Sequence, residues 1–139
     1  MLFRSLLGLG ASSIGRLPQG FVQNIAQELG WREAVEAGRL PIARGVAMTD
    51  DDRFRGEIIE RLMCDLEVDL ADVCVRHGRQ AQELSDGLAR LLPFVEDGLV
   101  EIDGGTVRVV GFGRLVVRSV CAVFDAYFQP EAGRHSRTL

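Results

Sequence analysis

The run Leu6-Leu7-Gly8-Leu9-Gly10-Ala11-Ser12-Ser13-Ile14 constrains this chain more than any other stretch. Its first half, residues 6–11, is apolar without alternation, the pattern of a strand covered on both faces as in a parallel α/β sheet. Such a strand needs parallel neighbours, and those require crossover connections. The next clear strand pattern begins only near residue 98, with helical patterns and loops between. The missing strands are therefore expected before Met1, which makes the chain a carboxyl-terminal fragment. Residues 1–5, Met-Leu-Phe-Arg-Ser, read as an assembly scar, because Leu-Phe-Arg-Ser is what the end of a common sequencing adaptor encodes.

The 139 residues suffice for one ordinary core, and 47% apolar with 26% charged residues is the balance of a globular protein. No segment offers the roughly 20 unbroken apolar residues of a membrane span. A net charge of −4 gives no overall attraction to nucleic acid or anionic lipid. Leu2 to Leu9 is short for a signal-peptide core, contains Arg4 and lacks a cleavage region, so a cytoplasmic location is expected. Cys64, Cys74 and Cys121 are odd in number and widely spaced, which argues against a disulfide framework or structural zinc. Cys64 and Cys121 sit among apolar residues at helical spacing, where free cysteine acts as a small hydrophobe. His77 near a helix end and His135 in a polar tail have no partner at metal-ligand spacing.

Gly15-Arg16-Leu17-Pro18-Gln19-Gly20 is turn chemistry and predicts a loop. Residues 22–37 predict a helix, with Ile25, Leu29 and Val35 on one face, Glu28 and Arg32 at i,i+4 on another, and Gly38 as a stop. Pro41 to Met48 predicts an extended connector. Thr49-Asp50-Asp51-Asp52 then forms a capping-box arrangement, with acidic charge in the first turn of a helix running to about residue 65. Phe54, Ile58, Leu62 and Leu66 step by four along its apolar face, beside Ile59 and Met63. Asp69 caps a short second helix through His77, stopped by Gly78. A third helix presents Leu84, Leu88, Leu91, Leu92 and Val95 to the core, and Pro93 ends or kinks it. Leu99 to Val109 reads as a hairpin around Asp103-Gly104-Gly105. A closing helix presents Val117, Val120, Cys121, Phe124, Tyr127 and Phe128. The fold expected is mainly α with a small β hairpin: a winged-helix-like domain over residues 21–139, preceded at residues 1–20 by the remnant last strand of a parallel α/β barrel.

Little of this carries chemistry. Gly8-Leu9-Gly10 is no dinucleotide fingerprint, since Ser13 occupies the third glycine position and no helix opens there. Asp50, Asp51 and Asp52 serve a helix dipole before they serve a metal. A winged helix raises the question of DNA binding. Against it, the third helix exposes Gln80, Gln82, Glu83, Asp86 and Arg90, and the hairpin adds Glu101 and Asp103 against Arg108. Phosphate neutralisation needs a surplus of Lys and Arg there.

Gly8-Leu9-Gly10-Ala11-Ser12-Ser13-Ile14, Arg44-Gly45 with Thr49 and Asp52, Leu62-Met63-Cys64, Asp97-Gly98-Leu99-Val100, and Gly113-Arg114 with Arg118, Cys121, Phe124-Asp125 and Tyr127 together resemble one family. It is the oxygen-independent coproporphyrinogen III oxidase family of radical S-adenosylmethionine enzymes in haem biosynthesis. The resemblance runs over residues 6–139 in unbroken order, covers only the family's carboxyl-terminal portion, and extends to the tail His135-Ser136-Arg137. It implies a parallel α/β barrel holding S-adenosylmethionine and a [4Fe-4S] cluster on a CxxxCxxC motif, and decarboxylation of substrate propionates to vinyl groups. No CxxxCxxC occurs in this chain, and the spacing of Cys64, Cys74 and Cys121 does not replace it. The fragment alone is therefore expected to be inactive.

The resemblance carries one site residue over. The family's last barrel strand ends in Gly-x-Ser-x-Ile, matching Gly10 to Ile14, and its isoleucine is implied to contact S-adenosylmethionine. An apolar Ile14 can pack on the adenosyl group, while main-chain groups beside Ser12 and Ser13 can hydrogen-bond it. The plainer role for Ile14 is a core residue at the barrel rim. Residues 21–139 would form a cap that excludes water and helps hold a tetracarboxylate substrate, with Arg16, Arg44 and Arg118 as available cations, none of them assigned. The expected partners are the protein's own amino-terminal barrel, coproporphyrinogen III and S-adenosylmethionine, with no nucleic acid and no membrane, in a monomer when intact. The alternative is a freestanding winged-helix module for protein or nucleic-acid binding.

Overall fold

A computed structural model describes residues 5–128, which form two compact units divided between Thr49 and Asp50. The proposed scar, apart from Ser5, and the His135-Ser136-Arg137 tail lie outside the described residues.

The first unit is built on an antiparallel sheet of β1 (Ile14–Leu17), β2 (Gly20–Asn24) and β3 (Ile42–Ala47), in that order, with α1 (Glu28–Glu36) between β2 and β3. The expected loop at residues 15–20 is thus a hairpin, with Pro18-Gln19 as its turn. Gly20 is required there by close approach, since a Cβ at this position would lie 2.0 Å from the Val46 carbonyl oxygen. The helix expected over 22–37 starts at Glu28, because β2 takes residues 20–24 into the sheet. The expected connector at 41–48 holds β3, whose residues are all exposed. β1 and β2 pair from Ile14↔Gln23 to Leu17↔Gly20.

Residues 6–11 form a loop and not a buried strand. Leu6 makes one isolated antiparallel bridge to Arg16, and Gly10 at φ 94° and Ser12 at φ 60° then turn the chain. The apolar residues of this loop face outward, with Leu7 and Leu9 at 72% and 89% exposure. Ala34 is the buried hydrophobic residue of the unit among those described; Leu29 and Val35, expected to face a core, are exposed.

The second unit runs α2 (Asp50–Asp65), β4 (Glu67–Asp69), α3 (Leu70–His77), a 3₁₀ turn at Ala81–Leu84, α4 (Ser85–Glu96), β5 (Val100–Asp103), β6 (Thr106–Val109), a second 3₁₀ turn at Gly111–Val116, and α5 (Val117–Ala122). Its sheet has the order β4-β6-β5, antiparallel throughout. The architecture is therefore mixed, with two small antiparallel sheets, and not mainly α with one hairpin. The period-four face of α2 buries Phe54, Ile58 and Leu62 completely. Against them pack Val73, Leu84, Leu91, Val107, Val120 and Phe124 from the other elements.

Asp69 caps α3 as expected, its carboxylate accepting from the Asp72 amide at 3.0 Å, and Gly78 stops the helix in the left-handed conformation at φ 62°. Pro93 sits inside α4, which continues to Glu96, so it does not end the helix. The closing helix stops at Ala122, short of Phe128, and Tyr127 and Phe128 are exposed where a buried face was expected. The Tyr127 hydroxyl instead donates to Asp52 Oδ1 at 2.8 Å. Leu92 and Met63 are likewise exposed, and Cys64, expected among apolar neighbours, faces solvent.

Candidate functional site

The loop at residues 8–14 is held by β2. The Asn24 side-chain amide donates to the carbonyls of Gly8 at 3.2 Å and Gly10 at 2.9 Å, and the Asn24 amide N–H donates to Ser13 O at 2.9 Å. Ser12 N–H donates to Ile25 O at 3.0 Å, Ser12 O accepts from Gln23 Nε2 at 3.3 Å, and the Ser13 hydroxyl donates to Leu9 O. Three of the main-chain groups foreseen as ligand contacts, Ser12 N–H, Ser12 O and Ser13 O, are therefore used within the chain. Ile14 is different. It opens β1 at 57% exposure, an apolar group presented at the end of a tethered loop.

Strand register decides what shares a face with Ile14. Residues opposite one another on neighbouring strands point to the same side of a sheet. The pairs Ile14↔Gln23 and Gln23↔Arg44 put those three residues in one row, and Arg16↔Phe21 and Phe21↔Val46 form the next row on the same face. Side-chain contacts agree: Arg44 Nε donates to Gln23 Oε1 at 2.7 Å, and the Arg16 guanidinium lies 5.8 Å from the Phe21 ring centroid. Gln23, Asn24 and this face are hidden in the sequence because residues 22–24 run without a break into the helical pattern of 22–37. Trp31 Nε1 is shut from solvent without a hydrogen-bond partner among the described residues.

The second unit carries two charged clusters that join its elements. Glu57 on α2 meets Arg76 and His77 of α3 and Arg61 of its own helix, with His77 Nε2 at 2.7 Å from Glu57 Oε2. Burial pushes the Glu57 carboxyl up, but the His77 hydrogen bond, the Arg76 charge and the Arg61 hydrogen bond outweigh it and hold the carboxyl below its ordinary range. Asp51 pairs with Arg55 and Arg79 at 2.7 Å each, and Arg79 also pairs with Glu83 and lies over the Phe54 ring. Arg55 bonding and charge, together with Arg79, depress the Asp51 carboxyl against a partial burial cost. Arg108 on β6 is held by Glu67 at 2.6 Å, and Arg90 donates to the Val123 carbonyl. Arg118 lies on α5, in the other compact unit from Arg16 and Arg44.

An iron–sulfur cluster does not fit these residues. Among the described residues no group of three His, Cys, Asp or Glu could hold a metal ion. Burial pushes the Cys121 thiol up to about 11, and burial followed by Glu83 raises that of Cys74, whereas cluster ligation requires thiolates.

Comparison with known proteins places these observations. Residues 48–116 match the HemN C-terminal domain family. An oxygen-independent coproporphyrinogen III oxidase of Bradyrhizobium diazoefficiens is 46% identical over 96% of this chain and 30% of its own length, and one of Cereibacter sphaeroides is 38% identical over 92% and 28%. The solved Escherichia coli coproporphyrinogen III oxidase, described as a radical SAM enzyme, superposes with a TM-score of 0.85 at 29% identity, over 92% of this chain and 30% of that one. The chain thus spans about 30% of the length of the relatives it matches. It belongs to the oxygen-independent coproporphyrinogen III oxidase family and corresponds to the carboxyl-terminal part of these enzymes.

Proposed function

We propose that this chain is the carboxyl-terminal part of an enzyme that oxidatively decarboxylates the propionates of coproporphyrinogen III to vinyl groups by radical S-adenosylmethionine chemistry in haem biosynthesis. The observation that carries the reading is the coverage of 92% of the chain by one solved enzyme of that activity at a TM-score of 0.85. In this reading the cluster belongs to the amino-terminal barrel, and the present chain without it is inactive. The Leu6–Ile14 run joins the chain to that barrel and completes its parallel sheet when the rest of the barrel is present.

Ile14 packs on the bound S-adenosylmethionine. Its exposure at the end of a loop tied down by Asn24 supports this, because an apolar contact is useful only if it is both accessible and held in place. Ser12 and Ser13 shape the loop through hydrogen bonds inside the chain, and their main-chain carbonyls, each with a second lone pair, lie beside the adenosyl group as the weaker contacts. Residues 21–139 act as the cap. The α-β-α-α-β-β order of residues 50–109 is the order of a winged helix, used here for packing against other protein. The capture of Arg108 by Glu67, of Arg90 by a carbonyl and of Arg79 by two carboxylates disfavours a nucleic-acid face.

The test is S-adenosylmethionine binding to the intact enzyme carrying Ile14→Asp and, separately, Ile14→Val. A buried carboxylate against the adenosyl group should weaken binding by at least about tenfold. Ile14→Val should stay near wild type. Unchanged affinity in Ile14→Asp would remove Ile14 from the site.

A further inference from the structure

The face that carries Ile14 also carries two arginines, and nothing assigns a role to either. Its two rows are Ile14, Gln23, Arg44 and Arg16, Phe21, Val46. Phe21 and Val46 are 42% and 67% exposed, so the middle of this face is apolar and open, with a cation on each side. Arg44 and Arg16 sit two strands and one row apart, roughly 10 Å across the sheet and ~7 Å along it by ordinary strand spacing.

The hydrogen bond of Arg44 matters most. Its Nε goes to Gln23 Oε1, a neutral amide that orients the guanidinium without cancelling its charge. That bond uses one of five N–H donors and leaves the planar fork that matches a carboxylate in two-point contact. In the second unit the pattern is the reverse: Arg55, Arg61, Arg76, Arg79 and Arg108 each meet a carboxylate.

We propose that Arg44, oriented by Gln23, binds a propionate carboxylate of the tetrapyrrole substrate, with Phe21 and Val46 as the apolar floor beneath a pyrrole ring and Arg16 on the floor's far side. The chemistry of the ligand fits the face: an apolar macrocycle bearing carboxylates on short arms asks for a hydrophobic surface edged by cations. Its position beside Ile14 would bring substrate next to the cofactor, which is where a hydrogen atom must be taken. The inference rests on the proposed function, and it names the substrate contact within that same site. The other carboxylate that Arg44 could reach is the one on the methionyl part of S-adenosylmethionine.

The experiment uses the intact enzyme with Arg44→Gln, Arg44→Lys and Gln23→Ala. Binding of coproporphyrin III, the stable oxidised form of the substrate, is followed by its fluorescence, and S-adenosylmethionine binding is measured in parallel. Arg44→Gln should weaken porphyrin binding and raise the substrate KM by roughly tenfold, with S-adenosylmethionine affinity unchanged. Arg44→Lys should recover part of the loss, since it restores charge without the fork. Gln23→Ala should lose less than Arg44→Gln. Because Arg44 is exposed on β3, both Arg44 variants should keep the wild-type melting temperature within a few degrees. Porphyrin binding within twofold of wild type in Arg44→Gln would overturn the proposal, and so would a loss confined to S-adenosylmethionine. Failure of the Ile14 reading shows separately, as cofactor affinity indifferent to Ile14→Asp while Arg44 still governs the porphyrin.

Discussion

Asn24 does more for the candidate site than any residue in the loop it holds. Its amide bridges the carbonyls of Gly8 and Gly10, two groups that a turn of glycines would otherwise leave to water. Removing a partly buried amide that satisfies two carbonyls costs about 1–3 kcal/mol, concentrated on the loop it fixes. Asn24→Ala should therefore leave the second unit unchanged and speed amide exchange at Ser12 and at position 24 itself, read by hydrogen exchange with mass spectrometry. In the intact enzyme it should also weaken S-adenosylmethionine binding, because Ile14 would no longer be held. Protection at Ser12 equal to wild type would show that the backbone bonds alone hold the loop. The residue was hidden in the sequence for a physical reason: an asparagine has no periodicity, and it became part of the site only through pairing of β2 with a loop 10 to 16 positions earlier.

Among the elements, α2 and α3 are joined most firmly by Glu57, which accepts from Arg61, Arg76 and His77 while only 14% of its side chain is exposed. Arg76 in turn holds Asp72, so the titrating carboxylate is surrounded by cations from both helices. Its pKa is lowered by folding from an ordinary 4.5, so the linked stability is complete above that value and is lost as pH falls through the lower folded value. Urea unfolding from pH 6 down to pH 3 should show wild type more stable than Glu57→Gln at pH 6, with the gap closing below about pH 4.5. A gap that stays constant across the range would mean that the cluster stabilises through packing and not through charge. The same two helices were the most legible part of the sequence. The four-residue steps of Phe54, Ile58 and Leu62 each found the core, and Asp69 and Gly78 bounded α3 as their chemistry requires. The hairpin at Asp103-Gly104-Gly105 was equally plain. The first sheet was not, because strands of four to six residues that bury only Gly15 in β1, only Gly20 in β2 and nothing in β3 leave no apolar alternation to read, and the turn residues 15–20 suit a loop as well as a hairpin. The closing helix was overextended for a related reason: Tyr127 and Phe128 keep the helical spacing of buried residues but are held outside, Tyr127 by Asp52 and by the Asp125 carboxylate at its amide.

For the whole molecule, the contrast between the two units is the central physical fact. The second has a continuous core from α2 to Phe124, whereas the first buries Ala34 and leaves Leu6, Leu7, Leu9, Ile14, Leu40 and Val46 largely in water. A three-stranded sheet with so little buried beneath it draws its stability from packing against something else. On the proposed reading that partner is the amino-terminal barrel of the enzyme, and the face with Ile14 and Arg44 meets cofactor and substrate. Domain exchange tests this directly. The carboxyl-terminal part of the Escherichia coli coproporphyrinogen III oxidase, the roughly 30% that superposes on this chain, is replaced by residues 6–139, and anaerobic conversion of coproporphyrinogen III to its vinyl product is followed by chromatography. Iron content and the cluster's visible absorption report that the barrel has folded. S-adenosylmethionine-dependent product is expected from the exchanged enzyme and none from the barrel without a carboxyl-terminal part. An exchanged enzyme that carries its cluster and binds S-adenosylmethionine yet forms no vinyl product would contradict that reading.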